Sequence, residues 1–145
     1  MWLPQTPGVR AEPAGELAFA RILAGRRRIG AAGAGLAAGS WDLFRMRDFL
    51  GLDVHGATLG LIGYGAIGKH VEAARLDDID LIAVLVKRPR NVGQLTHEPD
   101  RFFSHRFDAV AECAGHDAVR SHGERVLEGG ADVLVTSVGA FPDTA

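Results

Sequence analysis

The sequence predicts an α/β fold: a small, mostly parallel sheet of about four strands, doubly wound by helices and preceded by a helical arm. Three observations support this prediction. Short apolar runs alternate with segments of helical composition, a glycine-rich turn joins the first of these runs to a helix, and the predicted strand Asp80–Val86 is continuously apolar after its first residue. Continuous apolarity is typical of strands that are covered on both faces, and strands that alternate with helices are typical of parallel sheets.

Composition limits the class of protein. The 145 residues are enough for one domain with a core, and 47% hydrophobic with 23% charged residues is typical of globular chains. A formal net charge of -2 gives no general attraction to nucleic acid, and no apolar run is long enough to span a bilayer. Cys113 is the single cysteine, so it cannot form an internal disulfide, and the N-terminus lacks signal-peptide features. We therefore expect a cytoplasmic protein. We expect neither nucleic acid nor a membrane as its partner.

The N-terminal segment, residues 1–56, is predicted to be irregular at first and then helical. Helix formers predict a helix that begins near Gly15 and continues to Ala24. We interpret the three arginines Arg26–Arg28 as a solvated helix end rather than a phosphate-binding patch. The run Gly30–Gly35 predicts only a weak helix, because glycine is unfavourable in helix interiors.

Gly63, Gly65 and Gly68 have G-x-G-x-x-G spacing between an apolar run and a predicted helix at Ala66–Leu76. Gly63 permits a tight turn, Gly65 lets a diphosphate approach the backbone, and Gly68 lets the helix pack against the strand. The amides of the first helical turn then face the phosphates. A purely structural turn in a glycine-rich loop is the alternative, but the strand and helix around the motif favour a dinucleotide-binding turn. Residues 57–145 are therefore predicted to form a truncated Rossmann-like domain.

The end of the second predicted strand bears on the choice of cofactor. An NAD site usually has an acidic residue about 20 residues after the glycine loop, where it binds the ribose hydroxyls. Here the strand runs into Lys87 and Arg88 without a carboxylate. Cations at this position favour NADP, or dual use, over strict use of NAD. A solvated basic loop is the other interpretation of these two residues.

The remaining elements alternate in the same way. His97 and His105 match no metal-binding spacing, so we expect solvated histidines and no metal site. His116 is a weak candidate for an acid or base, and Cys113 is interpreted as a small buried hydrophobic residue rather than a nucleophile. The predicted elements are a short helix at Glu98–Ser104, a strand at Asp108–Ala114, a helix at Asp117–Leu127 and a strand at Ala131–Ser137.

Different parts of the chain resemble two different protein families. Residues from about 6 to 62 resemble the cofactor domain of D-isomer-specific 2-hydroxyacid dehydrogenases of the glyoxylate and hydroxypyruvate reductase type, on Thr6–Val9, Gly15–Ala20, Ala38–Trp41 and Gly51–Gly60. Residues from about 63 to 140 resemble the N-terminal domain of L-aspartate dehydrogenase, on Gly63–Gly68, Ala83–Pro89, Glu112–Val119 and Ser137–Ala140. The two segments meet at the glycine motif. A natural fusion, a gene-model artefact and a designed chimera remain open as origins of this pattern.

The resemblance implies a set of cofactor contacts. It implies Gly63, Gly65, Ala66 and Ile67 at the diphosphate and Lys87 and Arg88 near the adenosine ribose. It also implies Cys113, Ala114, Gly115 and Ser137 on the nicotinamide side. Tyr64 and Gly68, within the same glycine loop, complete the candidate cofactor-binding set.

The expected function is that of the NADP- or NAD-binding domain of an oxidoreductase that acts on a small 2-hydroxy or 2-amino acid. Neither family's catalytic residues fall within the matched segments, so we expect a domain that is incomplete and inactive alone. Its expected partners are the dinucleotide, a small carboxylate substrate if another domain completes the site, and a second copy of the chain. The alternative is a non-catalytic nucleotide-binding or interaction module, suggested by an exposed sheet edge and by Trp41, Phe44 and Phe49. The fold could also bind FAD or S-adenosylmethionine.

Overall fold

The computed structural model describes residues 11–40, 47–74, 79–89 and 93–136. They form five helices and five strands, and the strands make one parallel sheet. The helices are α1 (Ala11–Arg26), α2 (Ile29–Ala37), α3 (Ala66–Ala74), α4 (Pro99–Phe103) and α5 (His116–Glu128). The strands are β1 (Ala57–Ile62), β2 (Ile79–Leu85), β3 (Leu95–Thr96), β4 (Ala109–Glu112) and β5 (Asp132–Val135).

The strand order is β3-β2-β1-β4-β5, which confirms the predicted Rossmann-like α/β fold. All four predicted strands are present within two or three residues of their expected bounds. The fifth strand, β3, was not predicted, because its two residues are too few to give a periodic pattern.

The chain direction across the sheet reverses between β1 and β4. From β1 the chain moves outward through β2 to β3, then crosses back to β4 on the other side of β1. The last residue of β1, Ile62, pairs with Leu85 of β2 and with Glu112 of β4. The carboxyl ends of these three strands therefore lie side by side, and a crevice is expected where the order reverses.

Helices cover both faces of the sheet. Leu59 and Leu61 of β1 point to one face, where they pack with residues of α1 and α3. Ile62 points to the opposite face, where Phe102 of α4 and Val126 of α5 complete a second buried cluster. The alternation follows from the two-residue period of a strand, and it explains why these strands are apolar on both sides.

The predicted helical N-terminal segment is present, but α1 begins at Ala11, before the expected start near Gly15, and it packs directly on the sheet. Ala18 and Ile22 are each only 1% exposed and belong to the same cluster as Leu61. Arg21 donates a hydrogen bond to the carbonyl oxygen of Val135, at the carboxyl end of β5. This helix therefore forms part of the core, although the proposed division of the chain at residue 56 stays a prediction.

Arg26 corrects the interpretation of the arginine run. Its side chain is only 7% exposed, and its Nε donates to the carbonyl oxygen of Asp53 over 3.1 Å. Its guanidinium group lies 3.7 Å from Asp108 and 3.9 Å from Asp132, at the starts of β4 and β5. Arg26 is thus a buried structural cation, whereas Arg27 and Arg28 are exposed as expected. The two carboxylates are distant in sequence, so the composition of the helix end did not reveal them.

The weakly helical run after α1 forms α2, in which no residue is buried. Phe49 packs near Gly35 of this helix, and Trp41 and Phe44 lie outside the described residues. Within the described ranges, no helix is both long enough and apolar enough to cross a membrane.

Candidate functional site

The turn after β1 requires glycine at its first position. Gly63 has φ +98°, and its N–H donates to the carbonyl oxygen of Leu85 over 2.8 Å. A Cβ on Gly63 would lie 2.7 Å from the Cβ of Ala114 and 2.8 Å from its backbone nitrogen. The turn therefore lies directly against the loop that follows β4, across the point where the strand order reverses.

The other two glycines of the motif differ in their surroundings. A Cβ on Gly68 would overlap the carbonyl oxygen of Gly63, so α3 approaches the turn as closely as backbones allow. By contrast, apart from its two neighbours in the chain, no residue has a heavy atom within 4 Å of the position of a Cβ on Gly65. Gly65 immediately precedes α3, and the backbone amides of the first turn of this helix and its dipole favour an anion. This geometry fits a dinucleotide diphosphate.

A cleft of about 810 Å³ lies at the carboxyl ends of β1, β2 and β4. It is bounded by the glycine turn, the end of β2, the segment from β3 to α4, and the loop that leads into α5. Seven candidate residues from the sequence line it: Gly63, Tyr64, Gly65, Lys87, Arg88, Cys113 and Ala114. Apart from Ile62, Leu85 and Val86 at the strand ends, the other lining residues are Lys69, Leu95, His97, Pro99, Asp117, Ala118, Ser121 and His122.

Four further cofactor candidates, and the acid–base candidate His116, are not among the described residues that line the cleft. Ala66, Ile67 and Gly68 form the first turn of α3, behind the glycine turn. Gly115 caps α5 with φ +118°, and the exposed His116 begins that helix. Ser137 lies outside the described residues.

Positive charge exceeds negative charge along the cleft. Lys69, Lys87 and Arg88 line it, whereas Asp117 is the one carboxylate among the described lining residues. Lys87 and Arg88 are both exposed at the end of β2. Lys69 was not singled out from the sequence, and its position one residue after the third glycine was the available signal.

Tyr64 and Lys69 pack together beside the glycine turn. The Tyr64 hydroxyl donates a hydrogen bond to Glu72, and this bond raises the pKa of Tyr64, with burial and the charge of Glu72 adding to the shift. The Nζ atom of Lys69 lies 5.8 Å from the centre of the Tyr64 ring. The ring therefore lies close to a cation beside the glycine turn.

The loop after β4 is held by a buried carboxyl group. Glu112 is 2% exposed, and its Oε1 accepts hydrogen bonds from the backbone N–H groups of Ala114 and Gly115. Burial raises the pKa of the neighbouring Cys113 thiol to about 12, and the charge of Glu112 adds to the shift. The thiol is therefore protonated at neutral pH and unsuited to nucleophilic attack, in agreement with the interpretation of Cys113 as a buried hydrophobic residue.

Two histidines line the cleft, which the sequence did not predict. His97 follows β3 and is half-buried, and its Nδ1 is buried with no hydrogen-bond partner within the described part of the chain, so the side chain is less solvated than expected. Burial lowers the pKa of His122 on α5, and the charge of Arg125 lowers it further. The described residues contain no group of three or more His, Cys, Asp or Glu side chains placed to hold a metal ion.

Comparison with known proteins identifies the same two families. A family model described as "D-isomer specific 2-hydroxyacid dehydrogenase, NAD binding domain" matches residues 19–114. The chain is 36% identical over 86 residues to L-aspartate dehydrogenase from Archaeoglobus fulgidus, and 38% identical over 72 residues to glyoxylate reductase from Korarchaeum cryptofilum. These alignments cover 59% and 49% of this chain. Both resemblances are thus confirmed, and the 2-hydroxyacid dehydrogenase match extends beyond the glycine turn.

The chain spans 36% of the length of the first relative and 22% of the second. Among solved structures, NADPH-dependent glyoxylate/hydroxypyruvate reductase from Sinorhizobium meliloti superimposes with a TM-score of 0.67 at 21% sequence identity. That superposition covers 91% of this chain and 44% of the reductase. At this identity the likeness supports the fold.

Proposed function

Because the chain belongs to the family of NAD-binding domains of D-isomer specific 2-hydroxyacid dehydrogenases, we propose that its cleft binds NADP or NAD with the diphosphate at the glycine turn. The observation that carries the proposal is the contrast within the motif. Gly63 and Gly68 are both in close contact with neighbouring backbone, whereas Gly65 faces open space. Of the three glycines, only Gly65, the position that would meet the ligand, has open space beside it, and a diphosphate needs this space to approach the backbone.

Lys69 is proposed to add to the diphosphate site. Its ammonium group is held near the Tyr64 ring, and Tyr64 is in turn held by Glu72. The backbone N–H groups of Ala66 and Ile67, in the first turn of α3, are proposed as further donors to the phosphates. The contact of these two residues is through the backbone, which is compatible with their side chains lying away from the cleft.

Lys87 and Arg88 are proposed to bind the 2′-phosphate of NADP. Both are exposed at the cleft, and the end of β2 carries no carboxylate that would repel the phosphate. Replacing both residues by Ser should weaken NADPH binding by about tenfold or more while NADH affinity changes little, because charge-assisted bonds to the phosphate are lost. The matched control is Arg101→Ser with Arg106→Ser, which removes two exposed cations elsewhere. Equal losses for NADPH and NADH would contradict the assignment.

The nicotinamide end is proposed to lie against Cys113, Ala114 and Gly115, together with Ser137. Cys113 and Ala114 line the cleft on the opposite side of the glycine turn from β2. This placement uses the carboxyl ends of the strands on both sides of the reversal point, which is where dinucleotides span open α/β sheets.

In a complete enzyme the proposed reaction is hydride transfer between the nicotinamide and a small 2-hydroxy or 2-amino acid carboxylate. The bound dinucleotide supplies the hydride chemistry. The residues of this chain hold the dinucleotide in one orientation, while a substrate-binding domain would supply the acid or base. We propose that this chain alone binds cofactor with little or no turnover, since it spans about a third of its aspartate dehydrogenase relative.

A homodimer is proposed as the assembly of this chain. Ile29 and Leu36 on α2 are 58% and 65% exposed, which leaves an apolar surface for a second copy. Analytical ultracentrifugation of the wild type and of Ile29→Glu with Leu36→Glu tests this assignment. A monomeric wild type at micromolar concentration would contradict it.

Calorimetric titration of the chain with NADPH, NADH and ADP-ribose tests the proposed cofactor. We expect all three to bind, because all share the diphosphate. Binding of none of them by a folded chain would contradict the proposal and favour a scaffold role. The same sample should show negligible rates with aspartate, oxaloacetate plus ammonia, glyoxylate and hydroxypyruvate, and robust rates with any of them would contradict its proposed incompleteness.

A further inference from the structure

Glu112 is a carboxyl side chain inside the sheet. It ends β4, between β1 and β5, and is 2% exposed, whereas the other residues of this strand are Ala109, Val110 and Ala111. Removing a carboxylate from water costs free energy, and an apolar side chain of similar size at such a position is often neutral or stabilising. Stability alone therefore does not account for a glutamate at this position.

The hydrogen bonds of Glu112 show what it holds. Its Oε1 accepts from the backbone N–H of Ala114 over 2.6 Å and also from the N–H of Gly115. Gly115 has φ +118°, a backbone conformation that residues other than glycine rarely adopt. One oxygen atom thus fixes two consecutive amides in the sharp turn that leads from β4 into α5.

The position of this loop determines how closely it approaches the glycine turn. Ala114 is near enough to Gly63 that a Cβ on Gly63 would lie 2.8 Å from the Ala114 nitrogen. Cys113 and Ala114 also line the cleft. A shift of the loop would therefore change the width of the crevice on the side away from Lys87 and Arg88.

We propose that Glu112 is a positioning residue for the nicotinamide end of the dinucleotide. It holds the Cys113–Gly115 backbone in the one conformation that forms the wall on that side of the cleft. This inference rests on the proposed function, because it requires a dinucleotide in the cleft. The diphosphate and adenosine contacts lie on other elements and do not depend on Glu112.

The test compares NADH with ADP-ribose, which lacks only the nicotinamide. In Glu112→Leu, the loss of two hydrogen bonds should weaken NADH binding by about tenfold, with ADP-ribose affinity within about twofold of the wild type. Glu112→Gln keeps an acceptor oxygen in place and should restore most of the NADH affinity. Glu124→Leu, on the exposed surface of α5, is the matched control and should change neither affinity.

Three results would overturn the inference: unchanged NADH affinity in Glu112→Leu, equal losses of NADH and ADP-ribose, or no recovery in Glu112→Gln. If Glu112→Leu does not fold, Glu112→Asp replaces it, because the shorter carboxylate cannot reach both amides and should lose NADH affinity selectively. A wild-type chain that binds neither ligand would contradict the proposed function instead. Hydrogen exchange at the amides of Ala114 and Gly115 would then still test the loop, since exchange must be faster in the variant that lacks the acceptor.

Discussion

The backbones of Gly63 and Gly68 are in direct contact, so that a Cβ on Gly68 would overlap the carbonyl oxygen of Gly63. Gly65 lies between them in sequence and faces open space. The first contact fixes α3 against β1, and the open position leaves room for an anion. Folding and binding therefore depend on different glycines of one motif.

Gly68→Ala should lower the free energy of unfolding by about 1–3 kcal/mol, because the atom that it overlaps is backbone and has little freedom to move. Gly65→Ala should leave the free energy of unfolding within about 0.5 kcal/mol of the wild type and still weaken ADP-ribose binding. Urea unfolding followed by circular dichroism, combined with calorimetric titration, measures both quantities. Wild-type binding by Gly65→Ala would show that the diphosphate does not approach this position.

Arg26→Met should lower the free energy of unfolding by about 1–2 kcal/mol, because it removes the buried donor to the carbonyl oxygen of Asp53 and the cation shared by the half-exposed carboxylates of Asp108 and Asp132. Arg27→Met is the control. Arg27 forms an exposed pair with Asp53, so its loss should change the free energy of unfolding by less than about 0.5 kcal/mol. Chemical unfolding of the two variants checks the contrast, and similar stabilities would refute it.

Asp108 should make stability depend on pH in the acid range. The backbone hydrogen bond from Thr58 lowers the pKa of Asp108 below its usual 3.8, burial opposes this shift, and the Thr58 hydroxyl and Arg26 add to it. Since the folded-state pKa is lowered, the stabilisation is fully present above the unfolded-state pKa and is lost as the pH falls through the folded-state pKa.

The difference in unfolding free energy between the wild type and Asp108→Asn should therefore be constant from about pH 5 to 7 and should shrink below about pH 4. Asp80→Asn, which removes an exposed carboxylate from β2, is the control. A difference that grows as the pH falls would have the wrong sign.

Cys113 should resist alkylation in the folded protein. Burial and the charge of Glu112 raise the pKa of its thiol to about 12, so that very little thiolate is present at pH 8. Mass spectrometry after iodoacetamide treatment should show modification only when urea is added. Rapid modification of the native chain would indicate an accessible thiolate and would reopen a role for Cys113 as a nucleophile.

Local patterns were sufficient to predict most of the fold. Continuous apolar runs predicted β1, β2, β4 and β5, and the glycine spacing predicted the turn into α3, because these signals depend on neighbours in sequence. The strand β3 was missed because its two residues make a pattern too short to recognise. Arg26 was misinterpreted because Asp108 and Asp132, which form ion pairs with it, are far from it in sequence.

The residues of the candidate site that belong to local sequence patterns were predicted. The residues that reach the cleft only through tertiary packing were missed. The glycine turn, Lys87 and Arg88 could be read from spacing, and all of them border the cleft. His97 and His122 could not be predicted in this way, because only the packing of β3 and α5 in the folded chain brings them to the same cavity. The hydrogen bonds of Glu112 likewise depend on the conformation of the turn that follows it.

The docking of α1 has a consequence for how the protein is made. Ala18 and Ile22 are buried in a cluster that includes Leu134, and Arg21 bonds to the carbonyl oxygen of Val135. Arg21 and Val135 are 114 residues apart in sequence. During synthesis on a ribosome α1 emerges before β5, so its native docking surface is complete only after the chain through β5 has been made.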